Sequence, residues 1–344
     1  MLFFVLWFAH RYIALIEDIN RKLREDAERE IDQHGGHLMI LTFLLRRRSA
    51  IKVLGSVIDA ALARGHRCFI AKRPEVKDQF VLGDFDRWLG KLHPTHRLIG
   101  RVIGVATDAD AHVGVSQFFD NILTGPGAEV QCYLSQWHKD LHMSVAPDRR
   151  WWIKDQPVTG WTVADHRALL ALKPGGWIMV YDPRRYDLLF TMKRRVPEPW
   201  RRSIKGRAWY FEKIYGAWHS AKEEGASLVI KTRPKHGDPW WLSRFGRVVG
   251  EDTMYPSTSL ELMRMADRVI HFMSGAHAEA RMMGVEVLNY RVPQPHLDHL
   301  PGQRDIYEAL VHDPTLFRDE YMTKFFTYDD TRAGERVVDV VEHA

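Results

Sequence analysis

Cysteine is nearly missing: in 344 residues only Cys68 and Cys132 carry a thiol. Two thiols so far apart exclude a disulfide scaffold and a cysteine-based zinc site. Each sits in an apolar, strand-like segment, so both are expected to be reduced core residues, as suits a cytosolic compartment. Histidine is plentiful, with 18 copies, yet none shows the His-x-x-x-His or Glu-bracketed spacing of a metal site. Internal repeats and low-complexity segments are absent, which excludes solenoids and disordered arrays. No apolar run approaches the ~20 residues needed to span a bilayer. The apolar opening from Met1 to Ala9 is interrupted by His10-Arg11. It also lacks the basic leader and small-residue cleavage site of a signal peptide.

What is present is ordinary globular material, 45% apolar and 27% charged, in a chain too long for one core and suited to two domains. The net charge of +5 implies anionic partners: nucleotide-sugars, acidic glycans, lipid headgroups or nucleic acid. The charge is not gathered into one tail, so no specific nucleic acid is indicated. The opening segment reads as a helix through Arg29, with charges at helical spacing. It is expected to pack on its own domain or on a second subunit of a homo-oligomer. The competing reading dips Phe3, Phe4, Trp7 and Phe8 into a membrane, a peripheral contact through residues 1–16 at the inner face.

The remainder alternates strands and helices. Leu38 to Leu45 is a continuous apolar run, as in a buried parallel strand. Ala50 to Ala63 is an amphipathic helix closed by Arg64-Gly65. His66 to Ala71 completes a βαβ unit, parallel by the right-handed crossover rule. Short strands are expected at 101–107 and 112–119, and a helix at 165–172. Pro174-Gly175-Gly176 marks a domain boundary, and Trp177 to Asp182 opens a second series. A helix over 205–224 follows, then a strand at 227–231, a helix at 256–266 and a strand at 268–272. The series ends with a strand at 285–290 and a closing helix at 331–342. The expected architecture is α/β, two Rossmann-like doubly wound domains facing a central cleft. Its parts are an N-terminal helical extension (1–36), an acceptor domain (37–174) and a nucleotide-donor domain (175–344).

The most informative stretch runs from Met273-Ser274-Gly275 through Glu279 to Gly284 and Tyr290. It reads strand, small-residue turn, short helix, glycine, strand. A Ser-Gly turn opening a helix is expected to leave backbone N–H groups aimed above the sheet, where the helix dipole favours an anion. Glu279, one turn in, is placed to accept from sugar hydroxyls. Lys231, Arg233 and Lys235 follow the strand Ser227 to Ile230, with Pro234 holding the backbone extended. Three cations there match a pyrophosphate, which Arg grips bidentately. Ser257, Thr258 and Ser259 cap a helix and could also donate to a phosphate. Arg46, Arg47 and Arg48 follow the first strand and are candidates for holding an acceptor or phosphate. A general base is sought in the N-terminal half among Asp108, Asp110, His112 and Asp120. Trp137-His138 and Trp151-Trp152 could stack on a sugar, although packing is the commoner use of such residues.

Four segments together resemble the GT-B superfamily of glycosyltransferases, in particular the branch with nucleotide-sugar 2-epimerases and CDP-glycerol glycerophosphotransferase-like enzymes. They are Ala61-Leu62-Ala63-Arg64-Gly65-His66 after the first helix, and Leu228-Val229-Ile230-Lys231-Thr232-Arg233-Pro234. The third is Ser274-Gly275 with Glu279 and Gly284, and the fourth is the ending from Tyr328 to Val338. The resemblance implies that Lys231, Arg233, Ser274 and Gly275 hold a diphosphate and Glu279 a ribose. It also implies that no bound metal is required, since cations and helix N-termini stabilise the leaving group. The epimerases' His-Arg-Arg-Glu-Asn segment has no counterpart in Tyr181-Asp182-Pro183-Arg184-Arg185-Tyr186-Asp187. The Glu-x7-Glu of retaining enzymes is one residue short between Glu279 and Glu286. The leading expectation is a glycosyltransferase using a UDP-, GDP- or CDP-linked donor and a glycan or lipid-linked acceptor in surface polysaccharide synthesis. The alternatives are a nucleotide-sugar 2-epimerase or hydrolase, and a non-catalytic, nucleic-acid-associated protein.

Overall fold

The computed structural model describes residues 18, 21, 22, 25, 26, 29, 38–45, 50–72, 100–103, 113–115, 130–145, 147–172, 185–192, 201–232, 239–250, 255–272, 274–290 and 318–344. In the opening segment Asp18, Arg21, Lys22, Glu25, Asp26 and Arg29 are helical. Lys22 pairs with Asp18 at 2.9 Å and Arg21 with Glu25 at 2.7 Å, the i, i+4 spacing read from the sequence. The chain forms two compact units. One comprises residues 1–114, 127–130 and 334–344, the other 115–126 and 131–333. These bounds differ from the division expected at residue 174, and the last eleven residues group with the first unit.

In the first unit β1 (Ile40–Leu45), β2 (Arg67–Lys72) and β3 (Gly100–Ile103) form a parallel sheet in that order. Helix α1 (Ala50–Ala63) connects β1 to β2 and buries Ile51, Val53, Val57, Ile58 and Ala61. Gly65 ends it in the left-handed region at φ +87. The His66 N–H donates to Ala61 O at 3.1 Å and the Gly65 N–H to Leu62 O at 3.0 Å, the paired bonds of a Schellman cap. The closing helix packs on α1. Gly334, in its first turn, lies against the Ser56 carbonyl. Arg64 donates to Asp339 and Glu342, each at 2.6 Å. His66 Nδ1 accepts from the Met39 N–H at 3.2 Å, which leaves the proton on Nε2 for Glu342 at 2.8 Å. Cys68 is fully buried, as is Cys132 at the end of β5 (Val130–Cys132); β4 is Val113–Val115. Burial pushes the Cys132 thiol up to about 12, so neither cysteine is a reactive thiolate.

The second unit begins with short helices: α2 (Gln136–Val145), α3 (Arg150–Asp155) and α4 (His166–Leu172). A five-stranded sheet follows, with β6 (Tyr186–Phe190), β7 (Ser227–Lys231), β8 (Arg247–Val249), β9 (Arg268–His271) and β10 (Glu286–Asn289). Its order is β10-β9-β6-β7-β8 and every pairing is parallel. The chain leaves β6 in one direction for β7 and β8, then returns to lay β9 and β10 on the other side. The expected strand at 177–182 lies outside the described residues, and the strand seen first in this sheet is β6.

Side-chain alternation sends Leu189, Leu228, Ile230, Ile270 and Phe272 to one face. There Tyr210, Ile214 and Ala217 of α5 (Ile204–Glu223) and Leu242 cover them. Leu188, Phe190, Val229, Lys231, Val269 and His271 alternate to the other face. α6 (Thr258–Met265) packs there, and Tyr186 donates to Leu262 O at 2.6 Å. α7 (Ala276–Met282) links β9 to β10, ending in Gly284 at φ +75 with the same cap as Gly65. The last helices are α8 (Arg318–Phe325) and α9 (Ala333–Glu342). Phe325 meets Trp137 edge-on at 4.9 Å, and Phe326 stacks on Trp161 at 4.8 Å. Among the described residues no helix is long and apolar enough to cross a membrane.

Candidate functional site

In an open parallel sheet, loops at the carboxyl ends of the strands form the ligand edge, with the preferred point where strand order reverses. Here that point lies between β6 and β9. The register fixes which residues share the edge. Lys231 is opposite Phe190 on one side and Val249 on the other, and Asn289 is opposite His271. Leu189 pairs with Ile270, so the next row places Phe190 beside His271. Asn289, His271, Phe190, Lys231 and Val249 therefore form one row across the sheet. Lys231 and the Ser274-Gly275 turn leave the same edge, separated by β6, a span of two strand spacings or about 10 Å.

Lys231 is 1% exposed, and its ammonium donates to the Thr232 carbonyl at 2.8 Å. A buried ammonium requires hydrogen-bond partners of this kind. Arg233 and Lys235, expected beside it, lie outside the described residues. So do Arg46, Arg47 and Arg48, and the base candidates Asp108, Asp110, His112 and Asp120.

At the Ser-Gly turn the structure revises the sequence reading. The Ser274 N–H is not aimed outward: it donates to His271 Nδ1 at 3.0 Å. The Ala276 N–H donates to Ser274 Oγ at 3.3 Å, the His277 N–H to Ser274 O at 3.0 Å, and the Ala278 N–H to Gly275 O at 3.2 Å. Among the described residues the Gly275 N–H makes no hydrogen bond, so the turn offers one donor rather than a fan. Ser274 is 2% exposed; Gly275 and Glu279 are half-buried, with Glu279 in the first turn of α7. Glu286 opens β10 opposite Arg268, at the amino edge. The near-match to Glu-x7-Glu is therefore two carboxylates at opposite ends of the sheet.

A pair of histidines, not singled out from the sequence, completes this corner. His271 Nε2 lies 3.2 Å from His277 Nδ1, with the rings edge to face at 5.4 Å. Since His271 Nδ1 accepts from Ser274, its neutral ring carries the proton on Nε2 and donates to His277. That leaves the His277 proton on Nε2. A relay thus runs from the Ser274 backbone through two buried imidazoles. A histidine in a strand and another in the next helix, six residues apart across a turn, carry no periodic signal in the sequence.

Ser257 sits at the N-terminus of α6 and is fully buried. Its N–H donates to His166 Nδ1 at 3.1 Å, and its carbonyl accepts from Leu260 and Glu261 at 3.0 and 3.1 Å. Thr258 and Ser259 are buried beside it. In the segment compared with the epimerase motif, Asp187 lies at the amino end of β6 and is held by Arg268 at 2.6 Å. Burial raises the Asp187 carboxyl, while the Arg268 guanidinium opposes that shift. Trp152 packs against Tyr133 and Ile153, and Trp151 is exposed. His138 is buried beside Tyr133 and His142; burial, reinforced by His142, lowers it to about 3. Among the described residues no group of three His, Cys, Asp or Glu side chains could hold a metal ion.

No family model matches the sequence, and no curated protein matches it. The fold is found among solved structures. A putative UDP-N-acetylglucosamine 2-epimerase from Listeria monocytogenes superposes with a TM-score of 0.50 at 15% identity, over 89% of this chain and 96% of that one. The UDP-N-acetylglucosamine 2-epimerase from Rickettsia bellii gives 0.49 at 12% identity, over 88% and 95%. The wall teichoic acid polymerase TagF gives 0.47 at 7% identity, over 90% and 89%. The α/β fold with parallel sheets that the sequence led one to expect is thus shared with the first of these structures. At this identity the likeness is one of fold.

Proposed function

We propose that this chain is a glycosyltransferase that takes a nucleotide-diphosphate-activated donor at the carboxyl edge of the five-stranded sheet and serves surface glycan synthesis. The observation that carries the reading is the shared row and face of Lys231 and His271 at the reversal of strand order, with the Gly275 N–H on the next loop. In this reading Lys231, Arg233 and Lys235 neutralise the diphosphate as it leaves, Gly275 donates to it, and Glu279 accepts from the ribose. Cations do the work of a metal, so none is required. Asp110, His112 or Asp120 supplies the base, and Arg46, Arg47 and Arg48 hold an acceptor phosphate.

A second reading, a nucleotide-sugar 2-epimerase or hydrolase, is favoured by the fold likeness to a protein titled as such an epimerase. The two separate cleanly in one assay. Candidate UDP-, GDP- and CDP-sugars are incubated without acceptor. An isomerase or hydrolase consumes its donor, whereas a transferase leaves it until acceptor is added. Calorimetric titration with UDP, GDP and CDP comes first: one should bind, and Arg233→Glu should abolish binding without changing the melting curve. If none of the three binds, both readings fall.

A further inference from the structure

Helix α5 has two apolar stripes, and the sheet uses only one. Gly206, Tyr210, Ile214, Ala217 and Ala221 face the sheet and are buried. On the outer side Ile204, Ala208, Phe211 and Tyr215 recur at spacings of four, three and four residues, the pattern of an apolar seam, and Trp218 continues it while packing in against the core. Ile204 is 87% exposed, and Phe211 and Tyr215 are 46% exposed each. The loop after β7 continues the surface, with Trp240 73% exposed and Val248 on the edge strand 41% exposed. Trp241 and Phe245 weld the parts together. Phe211 lies 5.4 Å from Trp241 and 5.5 Å from Phe245, and Tyr215 lies 6.3 Å from Phe245. Exposed apolar side chains gathered around one ring cluster mark an interaction surface.

The charge around it decides what it meets. Residues 201–224 and 239–250 carry eight Lys or Arg against three Glu, a net +5 equal to the formal charge of the whole 344-residue chain. Of the three acids, Glu212 pairs with Lys213 at 2.9 Å and Glu224 with Arg268 at 3.2 Å. Arg244 stands 4.6 Å over the Trp240 ring and Lys222 5.3 Å over the Trp218 ring, cations seated on the aromatic patch itself.

We propose that this face of α5 and β8 docks on an anionic membrane surface. Ile204, Phe211, Tyr215 and Trp240 enter the headgroup boundary, and the surrounding Lys and Arg meet lipid phosphates. A second copy of the chain would set like charge against like. Nucleic acid, which stacks its bases on rings, would leave the exposed Ile204 and Val248 without a role. The surface is also distinct from the opening segment, where membrane contact was first expected, and it does not rest on the donor-site reading.

The test is co-sedimentation of the full chain with vesicles of phosphatidylcholine alone and of equal parts phosphatidylcholine and phosphatidylglycerol. Binding is expected to the second only, weakening as salt is raised. Each basic residue near such a surface is worth about fivefold in partitioning. Lys222→Glu with Arg244→Glu should therefore weaken binding by at least ~25-fold. Ile204→Ser with Trp240→Ser, at exposed positions, should weaken it by about tenfold or more while the melting curve stays unchanged. Four results would overturn the proposal: no binding to the mixed vesicles, binding that survives both double variants, a dimer in sedimentation velocity that the variants dissolve, or polyuridylate binding lost in the variants while vesicle binding persists.

Discussion

Two glycine-to-alanine changes, chemically the same, are expected to act in opposite directions. Gly334 lies in the first turn of α9, and a Cβ there would stand 2.5 Å from Ser56 O and 2.6 Å from Ser56 C. Ordinary contacts begin near 3.5 Å, so helix and carbonyl must part by about 1 Å. Ser56 is buried inside α1 and cannot yield, so α9 must move. Overpacking of this kind costs about 1–3 kcal/mol. The shift also loosens Arg64 from Asp339 and Glu342, both at 2.6 Å; these partly exposed pairs add at most a few tenths each. Alanine's helix preference returns up to ~1 kcal/mol. Gly334→Ala should thus destabilise the first unit by about 1–2 kcal/mol. Gly216, exposed inside α5, has nothing within 4 Å of such a Cβ. Gly216→Ala should therefore stabilise the second unit by about 0.5–1 kcal/mol. Urea unfolding of both variants, read against wild type, measures the two signs. Gly334→Ala as stable as wild type would refute the docking of α9 on α1.

The remaining expectations concern buried polar groups. His138 titrates near 3 in the fold against about 6.5 unfolded, so between those values the unfolded chain holds a proton that the native chain lacks. Its contribution is neutral above pH 6.5 and costs the fold up to about 1.4 kcal/mol per pH unit below it. The slope of stability against pH between 6 and 4 should fall by that amount in His138→Gln; an unchanged slope would mean the imidazole is not closed off. Arg268→Met leaves Asp187 buried without its guanidinium, and a loss of about 3 kcal/mol is expected in urea unfolding, with a neutral result refuting the pair's role. Lys231→Met should weaken nucleotide binding at least tenfold in calorimetric titration; a variant that melts lower and binds normally would make Lys231 structural.

Local chemistry made much of this fold legible. Helix α1 runs over the expected residues because Arg64-Gly65 supplies a cap that depends on one glycine's φ, and β7 and α5 follow from equally local patterns. What the sequence concealed depends on distant partners. β6 reads poorly as a strand because Asp187 interrupts it, and the guanidinium that answers that charge lies 81 residues on. Helix α2 looks like a polar surface segment. Its His138, Lys139 and His142 are nonetheless buried, with Lys139 donating to the carbonyls of Lys154 and Gln156 at 2.6 Å each. β8 is only three residues long and was not foreseen. At the site, the small-residue turn and the strand-end lysine were legible. The use of the turn's N–H groups was not, because His271 and Ser274 take them by contacts that no spacing rule encodes.

The two edges of the five-stranded sheet show how the chain distributes polarity. At the amino edge Asp187, Arg268 and Glu224 join at 2.6 and 3.2 Å, charge answered by charge. At the carboxyl edge the buried Lys231 donates to a backbone carbonyl, and the buried His271 ring bonds to a second imidazole and to a backbone N–H. In the function proposed above this polar row meets the diphosphate of the donor, so loss of Lys231 is expected to cost nucleotide binding.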